Sequence, residues 1–387
     1  MRRKNTRGRS FCVRTQKDRP RVFLEENMLN NRFYKLTSAI IAAGTLLFSD
    51  AAFADNTEII IQAHTGAALF APENTAAAFE KAAELGATGI ETDLRMTKDL
   101  EIVIHHDDEI DLTSNGKGII SEMTLSELKE LDFGSWFSPE YAGEHILTLE
   151  EFLAEARELG FESVNLELKP TLIKDEDGNV ADGSKVYVET AANIIRESGY
   201  IDHIMVTSFD KELLKIMKEY APEVQVGILT IPNLSALSLF NLSQFFPADK
   251  ALADYEPEDV ENVPEPVIKL MESFGAKGKT HTELLLELLH GVGAATPSGT
   301  TWSELEILIA EQADIAAYVE SLDFQVEYVN CHFNSLTKEL IYAMHADGIG
   351  VFAWTPDETW ELSKVLKLSP DGIVTNRPDT ALSMIEE

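Results

Sequence analysis

Acidic and basic side chains gather where several predicted strands end, and in parallel α/β barrels that edge carries the active site. Glu91 and Asp93 lie two residues apart on one predicted strand, so both carboxylates point to the same face. Glu167 ends a later strand, and Lys169 follows on the same face. Three carboxylates converging inside a barrel would repel one another without a cation between them. We therefore predict a site for one divalent cation, Ca²⁺ or Mg²⁺, because hard cations prefer oxygen ligands.

Two histidines complete a set of residues suited to an anionic substrate. His64 ends the first predicted strand, and His106 comes directly after the predicted strand Ile102–His105. Histidines beside a metal ion suit general acid and general base roles. Because Lys169 adds positive charge, the set favours a substrate such as a phosphate ester. His105 points to the opposite face from His106 and is expected to be structural.

Taken singly, these residues have plainer interpretations. An isolated Glu-x-Asp on a strand is more often exposed or ion-paired than metal-binding. A single histidine such as His64 is more often a structural or capping residue. Trp354 and Phe209 are equally consistent with core packing. Only their convergence at several strand ends favours a catalytic site.

Apolar, β-rich segments alternate with segments of helical periodicity, which predicts a parallel sheet with crossover helices. The strand number is near eight and favours a closed (β/α)₈ barrel over an open sheet. Nine segments qualify, one more than a barrel needs, and Val326–Val329 is the weakest. The predicted strands are Ile59–Ala63, Gly89–Leu94, Ile102–His105, Ser163–Leu168, His203–Thr207, Val224–Leu229, Val326–Val329, Gly350–Trp354 and Gly372–Thr375. The predicted helices include Thr75–Leu85, Leu149–Leu159, Val186–Ser198, Lys211–Tyr220, Thr337–Ala346 and Asp357–Leu366.

Two segments interrupt this alternation. Asp108–Ile146 follows a predicted strand without an immediate helix and is rich in polar turns. Ile231–Gln325 is longer and contains two amphipathic stretches, His281–His290 and Trp302–Val319. We therefore predict one barrel over residues 55–387, interrupted by a helical insertion at 231–325. The insertion is either a surface elaboration or a lid that caps the mouth of the barrel site. Its apolar segment Leu234–Phe246 suits contact with lipid, a partner helix or its own subdomain.

The first 54 residues are expected to be an N-terminal extension and a secretory signal peptide. Within Met28–Ala54, Arg32 and Lys35 precede the mostly apolar run Leu36–Phe48, and Ala52–Ala54 has the small residues of a cleavage site. The run is shorter than the roughly 18–20 residues that a membrane span needs. We therefore expect export to a periplasm or the cell exterior, with no stable membrane span after cleavage.

The composition is strongly acidic. The chain carries 66 Asp and Glu against 32 Lys and Arg, a formal charge of −34. Without the first 54 residues, 62 acidic and 21 basic residues would remain. Nucleic acid and anionic membrane surfaces repel such a polyanion, so neither is expected as a partner. Cys331 would then be the single cysteine, which excludes an intramolecular disulfide.

Ordered motifs give the chain a specific resemblance. The segment beginning at Ile61, IQAHTGAALFAPENTAAAFEKAAELGATGIETDLRMTKDLEIVIHHDDEIDLTSNGKG, resembles the signature of the glycerophosphodiester phosphodiesterase family. That family shows A-H-R-G, P-E-N-T, I-E-x-D-V-x-x-T-K-D-G and H-D in this order. The later matches are MTLSELKELDFGSWFSPEYAGEHILTLEEFL, NLELKP, VTSFD, GIGVFAWTPD and DGIVTNRP. The resemblance spans about Glu58 to Ser383 without Ile231–Gln325, and it implies a distorted TIM (β/α)₈ barrel with Asp108–Ile146 as the small family insertion.

The resemblance also implies roles for particular residues. An acid–base pair and three metal ligands are implied at His64 and His106, and at Glu91, Asp93 and Glu167. Substrate-binding positions are implied at Thr65, Glu73, Asn74, Lys169 and Trp354. In the mechanism usually proposed for the family, the glycerol 2-hydroxyl attacks phosphorus and the alcohol leaves. Water then opens the resulting cyclic phosphate to give glycerol 3-phosphate.

Five positions depart from the family pattern. Thr65 stands where the family has an arginine that clamps phosphate, and one uncharged hydroxyl cannot make that bidentate contact. Leu112 replaces a frequent arginine, and Leu100 replaces a turn glycine. Asn376 replaces the aspartate of T-D-R-P, and Asp357 replaces the asparagine of W-T-x-N.

These observations predict an exported, metal-dependent phosphodiesterase that converts small glycerophosphodiesters to glycerol 3-phosphate and an alcohol. Because the two histidines and the three carboxylates of the motifs are all present, we expect an active enzyme with altered substrate handling. Two alternatives follow from Thr65. One is a lysophospholipase D-like diesterase, and the other is a weakly catalytic protein that binds an anionic headgroup.

Overall fold

Eight parallel strands close into a barrel in this computed structural model, which describes residues 59–174, 180–232, 250–260 and 301–386. The first strand, β1, pairs with both the second and the last strand, so the sheet has no open edge in the ring. The predicted closed (β/α)₈ barrel is therefore confirmed. In chain order the ring contains β1 (Ile60–Ala63), β2 (Gly89–Met96), β4 (Ser163–Leu168), β7 (Ile204–Ser208), β8 (Gln225–Thr230), β9 (Tyr328–His332), β10 (Gly350–Trp354) and β11 (Gly372–Thr375).

Helices cover the outside of the barrel, and side chains cap the N-termini of several of them. Thr148 accepts a hydrogen bond from the Glu151 backbone N–H, and the Glu151 side chain accepts one from the Thr148 N–H, which forms a capping box. The described helices are α1 (Ala76–Glu84), α2 (Leu125–Lys129), α3 (Leu149–Leu159), α4 (Ser184–Glu197), α5 (Lys211–Tyr220), α6 (Pro257–Val260), α7 (Trp302–Glu311), α8 (Ile315–Glu320), α9 (Lys338–Ala346), α10 (Thr359–Leu366) and α11 (Pro378–Glu386).

The surplus strand is not the one that the sequence indicated. The segment over Val326–Val329, the weakest prediction, is barrel strand β9, and its start lies at Tyr328. The predicted barrel strand Ile102–His105 is instead β3 (Ile102–Ile104), which pairs antiparallel with the end of β2. Its short apolar run is typical of a buried strand in either direction, so the direction of pairing was invisible in the sequence.

The barrel interior below the site is polar. Gln62 Nε2 donates to Ser163 Oγ at 2.8 Å, and Asn165 Nδ2 donates to Gln62 Oε1 at 3.2 Å. Thr207 Oγ1 donates to Asn165 Oδ1 at 2.7 Å. Between the strands and the helices, an apolar layer that includes Phe79 and Phe152 forms the main core. The hydrogen-bonded interior layer supports the strand ends, where the candidate site lies.

The segment Asp108–Ile146 folds around a small core that it shares with β3. Its buried residues are Val103, Ile110, Ile120, Leu128, Phe133 and Ile146. The hairpin β5 (Leu172–Lys174) and β6 (Val180–Asp182) forms a second, two-stranded sheet after β4. Both additions follow strands at the carboxyl-terminal edge of the barrel.

Only parts of the predicted insertion at 231–325 belong to the described residues. Its stretches His281–His290 and Leu234–Phe246 lie outside them, as does the predicted signal peptide Met28–Ala54. The stretch Trp302–Val319 forms α7 and most of α8, and Ile315, Tyr318 and Val319 of α8 pack into the barrel core. Among the described helices, none combines the length and apolar character that crossing a membrane requires.

Leu100 lies in the turn between β2 and β3 with φ of 67°, a left-handed conformation that costs a non-glycine residue about 1–2 kcal/mol. Its side chain is 41% exposed, so little apolar burial would be lost on removal. Glycine loses more backbone conformational entropy on folding than leucine does, which costs about 0.5–1 kcal/mol. We expect Leu100→Gly to raise the free energy of unfolding by about 0.5–1 kcal/mol, measured by urea denaturation.

Leu112→Gly is the matched control for that substitution. Leu112 is 79% exposed and has no left-handed φ, so glycine brings only its entropy cost there. An equal gain in stability from both substitutions would contradict the strain argument.

Candidate active site

Three carboxylates meet at the carboxyl-terminal end of two neighbouring strands. Glu91 and Asp93 lie on β2 and Glu167 lies on β4, where Asp93 and Glu167 are direct partners in the strand register. All three are buried, and one oxygen from each lies within 4.8 Å of the others. The predicted convergence is therefore present, and it arises because parallel pairing aligns the two strand ends.

Lys169 partly neutralises this group. Its Nζ lies 2.7 Å from Glu167 Oε1 and 3.1 Å from Asp93 Oδ1, and the side chain is buried. Burial alone would lower the pKa of Lys169, but Asp93 and Glu167 outweigh it and raise that pKa above its ordinary value. For Asp93, burial acts in the other direction and would raise the pKa. The positive charges of Lys169, His106 and His64 outweigh burial and hold the pKa of Asp93 well below its usual range.

Glu91 has the opposite electrostatic balance. Burial, and then the charges of Asp93 and Glu167, raise the pKa of Glu91 well above its ordinary value. The Thr65 N–H donates to Glu91 Oε2 at 3.1 Å but does not outweigh them. One lysine charge therefore does not balance the three carboxylates.

The donor set fits a hard divalent cation. Asp93 Oδ1 is buried, and its one cationic neighbour among the described residues is Lys169 Nζ at 3.1 Å, which Asp93 shares with Glu167. All the converging atoms are carboxylate oxygens, which Ca²⁺ and Mg²⁺ prefer. Glu91, Asp93 and Glu167 are the residues that would hold such an ion.

His64 follows β1 and faces the carboxylates. Its Nε2 lies 3.9 Å from Glu91 Oε2, and its Nδ1 lies 2.9 Å from Asn376 Oδ1. The next residue, Thr65, is buried and has φ of 49°, which is strained for a β-branched side chain. The Thr65 hydroxyl donates to the His64 carbonyl at 2.8 Å, so its proton is already used within the loop.

His106 reaches the same edge by way of the antiparallel strand β3. The chain passes the end of β2, turns, and returns, and the His105 N–H then bonds the Asp93 carbonyl at 3.0 Å. His106 Nδ1 lies 2.8 Å from Asp107 Oδ1, and Arg95 holds the His106 carbonyl with two hydrogen bonds. The prediction that His106 lies at the site is retained, although the strand carrying it runs the other way.

His105 makes contacts that are consistent with the structural role predicted from its position on the strand face opposite to His106. Its ring nitrogens lie 2.6 Å from the Asp107 carbonyl and 2.7 Å from Thr113 Oγ1, and its ring packs edge-on against Phe133. Burial lowers the pKa of His105 to about 4, so the ring is neutral near pH 7.

Glu73 and Asn74 lie beside the carboxylates in the loop before α1. Asn74 has φ of 56°, a conformation that asparagine tolerates, and its Nδ2 donates to Asp93 Oδ2 at 3.3 Å. Thr92 Oγ1 donates to Asn74 Oδ1 at 2.6 Å, which fixes the amide orientation. Burial raises the pKa of Glu73, and the charges of His106 and His64 oppose that rise.

Trp354 forms part of an aromatic wall at the end of β10. Its ring packs edge-on against Phe209 at 5.5 Å and against His332 at 5.0 Å between centroids. Its Nε1 donates to the Asn330 carbonyl at 3.1 Å. Burial lowers the pKa of His332 to about 4, so this histidine is a neutral part of the wall.

The comparison with protein families decides the identity. A model of the glycerophosphoryl diester phosphodiesterase family matches residues 64–283 and 279–380. The chain belongs to the glycerophosphoryl diester phosphodiesterase family. The glycerophosphodiester phosphodiesterase of Caldanaerobacter subterraneus subsp. tengcongensis is 26% identical over 328 residues, which are 85% of this chain and 98% of the relative. This phosphodiesterase is therefore an enzyme of the phosphoric diester hydrolase class, as its motifs predicted.

Solved structures of the same family share its fold. A phosphodiesterase of Oleispira antarctica, in complex with the product sn-glycerol-3-phosphate, is 22% identical, with a TM-score of 0.55 over 84% of this chain and 96% of that chain. A glycerophosphodiester phosphodiesterase of Agrobacterium tumefaciens is 20% identical, with a TM-score of 0.52 over 84% of this chain and all of that chain. The barrel is thus the fold of this phosphodiesterase family.

Sequence reasoning did not assign site roles to three residues of this phosphodiesterase. Asn376 and Asp357 are visible in the sequence as departures from the family pattern, but the contacts of Asn376 with His64 and with Asp357 are not. His332 ends β9, the strand with the weakest sequence pattern. A polar residue at the end of a strand, as for His332, or directly after one, as for Asn376, is the signal that the sequence offers.

Proposed function

We propose that this phosphodiesterase hydrolyses glycerophosphodiesters to glycerol 3-phosphate and an alcohol, with a divalent cation and two histidines. The buried triad Glu91, Asp93 and Glu167 is the observation that carries the proposal, because such a group is unfavourable without added positive charge. The product in the Oleispira antarctica complex, sn-glycerol-3-phosphate, supports the same product here.

A bound divalent ion would polarise phosphoryl oxygens and stabilise the charge that develops on them. Lys169 supplies a fixed positive charge beside the same carboxylates. His64 and His106 flank the group, and one takes the proton of the attacking hydroxyl while the other protonates the leaving alkoxide. Trp354 and Phe209 form an aromatic wall on the side where we place the alcohol.

Release of glycerol 3-phosphate from glycerophosphocholine tests the proposal. We expect turnover with Ca²⁺ or Mg²⁺ and none with EDTA. His64→Ala and His106→Ala are each expected to lower kcat by about 10²–10⁴-fold, because each removes one proton-transfer group. His203→Ala is the matched control, since His203 precedes β7 at the opposite end of the barrel. Full turnover in EDTA would overturn the metal dependence.

Thr65 favours one alternative substrate class. Where the family has a phosphate-clamping arginine, this chain has a buried hydroxyl bonded to its own backbone. Lysophosphatidylcholine is therefore assayed beside glycerophosphocholine. Faster hydrolysis of the lysophospholipid would assign a lysophospholipase D-like activity, and binding without turnover of either would assign a headgroup-binding protein.

We also propose that the protein is exported, on the basis of the basic, apolar and small-residue pattern within Met28–Ala54. Amino-terminal sequencing of the protein recovered outside the cytoplasm is expected to begin at Asp55. Recovery of the uncut chain from the cytoplasm alone would contradict export.

A further inference from the structure

We propose that Asp357 is a positioning residue that acts through Asn376 to keep the proton of neutral His64 on Nδ1. This leaves Nε2 as the nitrogen that exchanges protons at the site. The catalytic meaning of this arrangement rests on the proposed function, whereas the hydrogen-bond chain itself does not.

The first step is the orientation of the Asn376 amide. Asp357 accepts hydrogen bonds from the Asn376 backbone N–H at 2.9 Å and from Asn376 Nδ2 at 2.8 Å. A carboxylate has no proton to donate, so only the NH₂ end of the Asn376 amide can face it. The nitrogen and oxygen of an amide are nearly identical in shape, so the hydrogen bond to Asp357 is what assigns the two ends of the Asn376 side chain.

The second step is the tautomer of His64. With its NH₂ group on Asp357, Asn376 presents Oδ1 to His64 Nδ1 at 2.9 Å. A carbonyl oxygen only accepts, so His64 Nδ1 must carry the proton. In the neutral ring Nε2 then has the free lone pair, and it lies on the side of Glu91, at 3.9 Å from Oε2.

The exchange of residue types at these two positions follows the same logic. The family resemblance implies asparagine at position 357 and aspartate at position 376, whereas this chain has Asp357 and Asn376. Either order places one acid against one amide and leaves an acceptor for His64. Two acids would put carboxylates about 2.8 Å apart, and two amides would free the Asn376 amide to flip. A change at one position alone therefore breaks the chain, and the reciprocal change restores it.

Three variants of the full chain separate positioning from simple support of the loops. Asp357→Asn removes the group that orients Asn376. The double variant Asp357→Asn with Asn376→Asp reverses the pair and keeps every hydrogen bond. Asp379→Asn is the matched control. Asp379 accepts hydrogen bonds from Arg377, the residue after Asn376, but takes no part in the hydrogen bonds that join Asp357, Asn376 and His64. The readouts are the ¹⁵N resonances of His64 in ¹⁵N-histidine-labelled protein, assigned with His64→Gln, and kcat and KM on glycerophosphocholine.

In the wild type and in Asp379→Asn, we expect the neutral form of His64 to carry its proton on Nδ1 and to have an unprotonated Nε2. We expect Asp357→Asn to lose this preference and to lower kcat by about 10²–10⁴-fold with a smaller change in KM. The double variant is expected to regain both the tautomer and most of kcat. A wild-type ring protonated on Nε2 would overturn the proposal.

Loss of activity in Asp357→Asn with an unchanged tautomer would also overturn it, because the role would then be structural. If Asp357→Asn does not fold, the wild-type spectrum and the double variant decide the question. Absence of turnover in the wild type would refute the proposed function, yet the tautomer measurement would still test the hydrogen-bond chain.

Discussion

Replacing Lys169 with methionine is expected to lower the free energy of unfolding of the metal-free protein by about 3–5 kcal/mol. Lys169 is buried and pairs with both Asp93 and Glu167, so its removal leaves buried carboxylates without a counter-charge. A divalent cation bound by the same carboxylates would replace that charge. We therefore expect Ca²⁺ or Mg²⁺ to recover much of the lost stability, measured by urea unfolding in EDTA and at saturating metal.

Lys129→Met is the matched control for Lys169→Met. Lys129 Nζ lies 2.5 Å from Glu151 Oε2, but both side chains are partly exposed. Solvent screens such a pair, so little change in stability is expected with or without metal. A cost at Lys169 that is the same in EDTA and in metal would mean that no cation shares these carboxylates.

Asp93→Asn is expected to reduce activity by about 10³-fold or more and to abolish binding of the divalent cation. The substitution removes a ligand oxygen and its charge but nearly preserves the shape of the side chain. Because it also removes one of three mutually repelling carboxylates, we expect a smaller loss of metal-free stability than in Lys169→Met. Calorimetric titration with Ca²⁺ and Mg²⁺, together with the phosphodiesterase assay, measures both effects.

Glu101→Gln serves as the control for Asp93→Asn, since Glu101 is exposed at the start of β3. It should bind metal and turn over substrate as the wild type does. Retention of metal affinity in Asp93→Asn would place the cation elsewhere and remove the main support for the proposed mechanism.

Both predictions concern the repulsion among the three buried carboxylates and the positive charges that offset it. Glu91, Asp93 and Glu167 are close because their strands are neighbours, and this closeness is unfavourable for folding. Lys169 offsets part of the repulsion in the folded chain, and the remaining negative charge is what a cation would bind. Stability and metal affinity are therefore expected to change together in variants of this group.

Much of this arrangement was determined by the sequence itself. The spacing of Glu91 and Asp93 puts both on one face of any strand that contains them. The alternation of strand and helix patterns required a parallel sheet, and the ordered motifs around His64 and Glu167 identified the family. These features are local, since each depends on residues within one element or one motif.

Contacts between distant elements were decided only by the tertiary structure. Ile102–Ile104 pairs antiparallel with β2, a direction that its three apolar residues do not encode, and this return carries His106 to the site. The partner of His64 is Asn376, which lies 312 residues away in the chain. Closure of the barrel places β11 beside β1 and so brings the two residues together. Patterns along the chain specify which face a side chain occupies, whereas pairing between strands specifies which side chains meet.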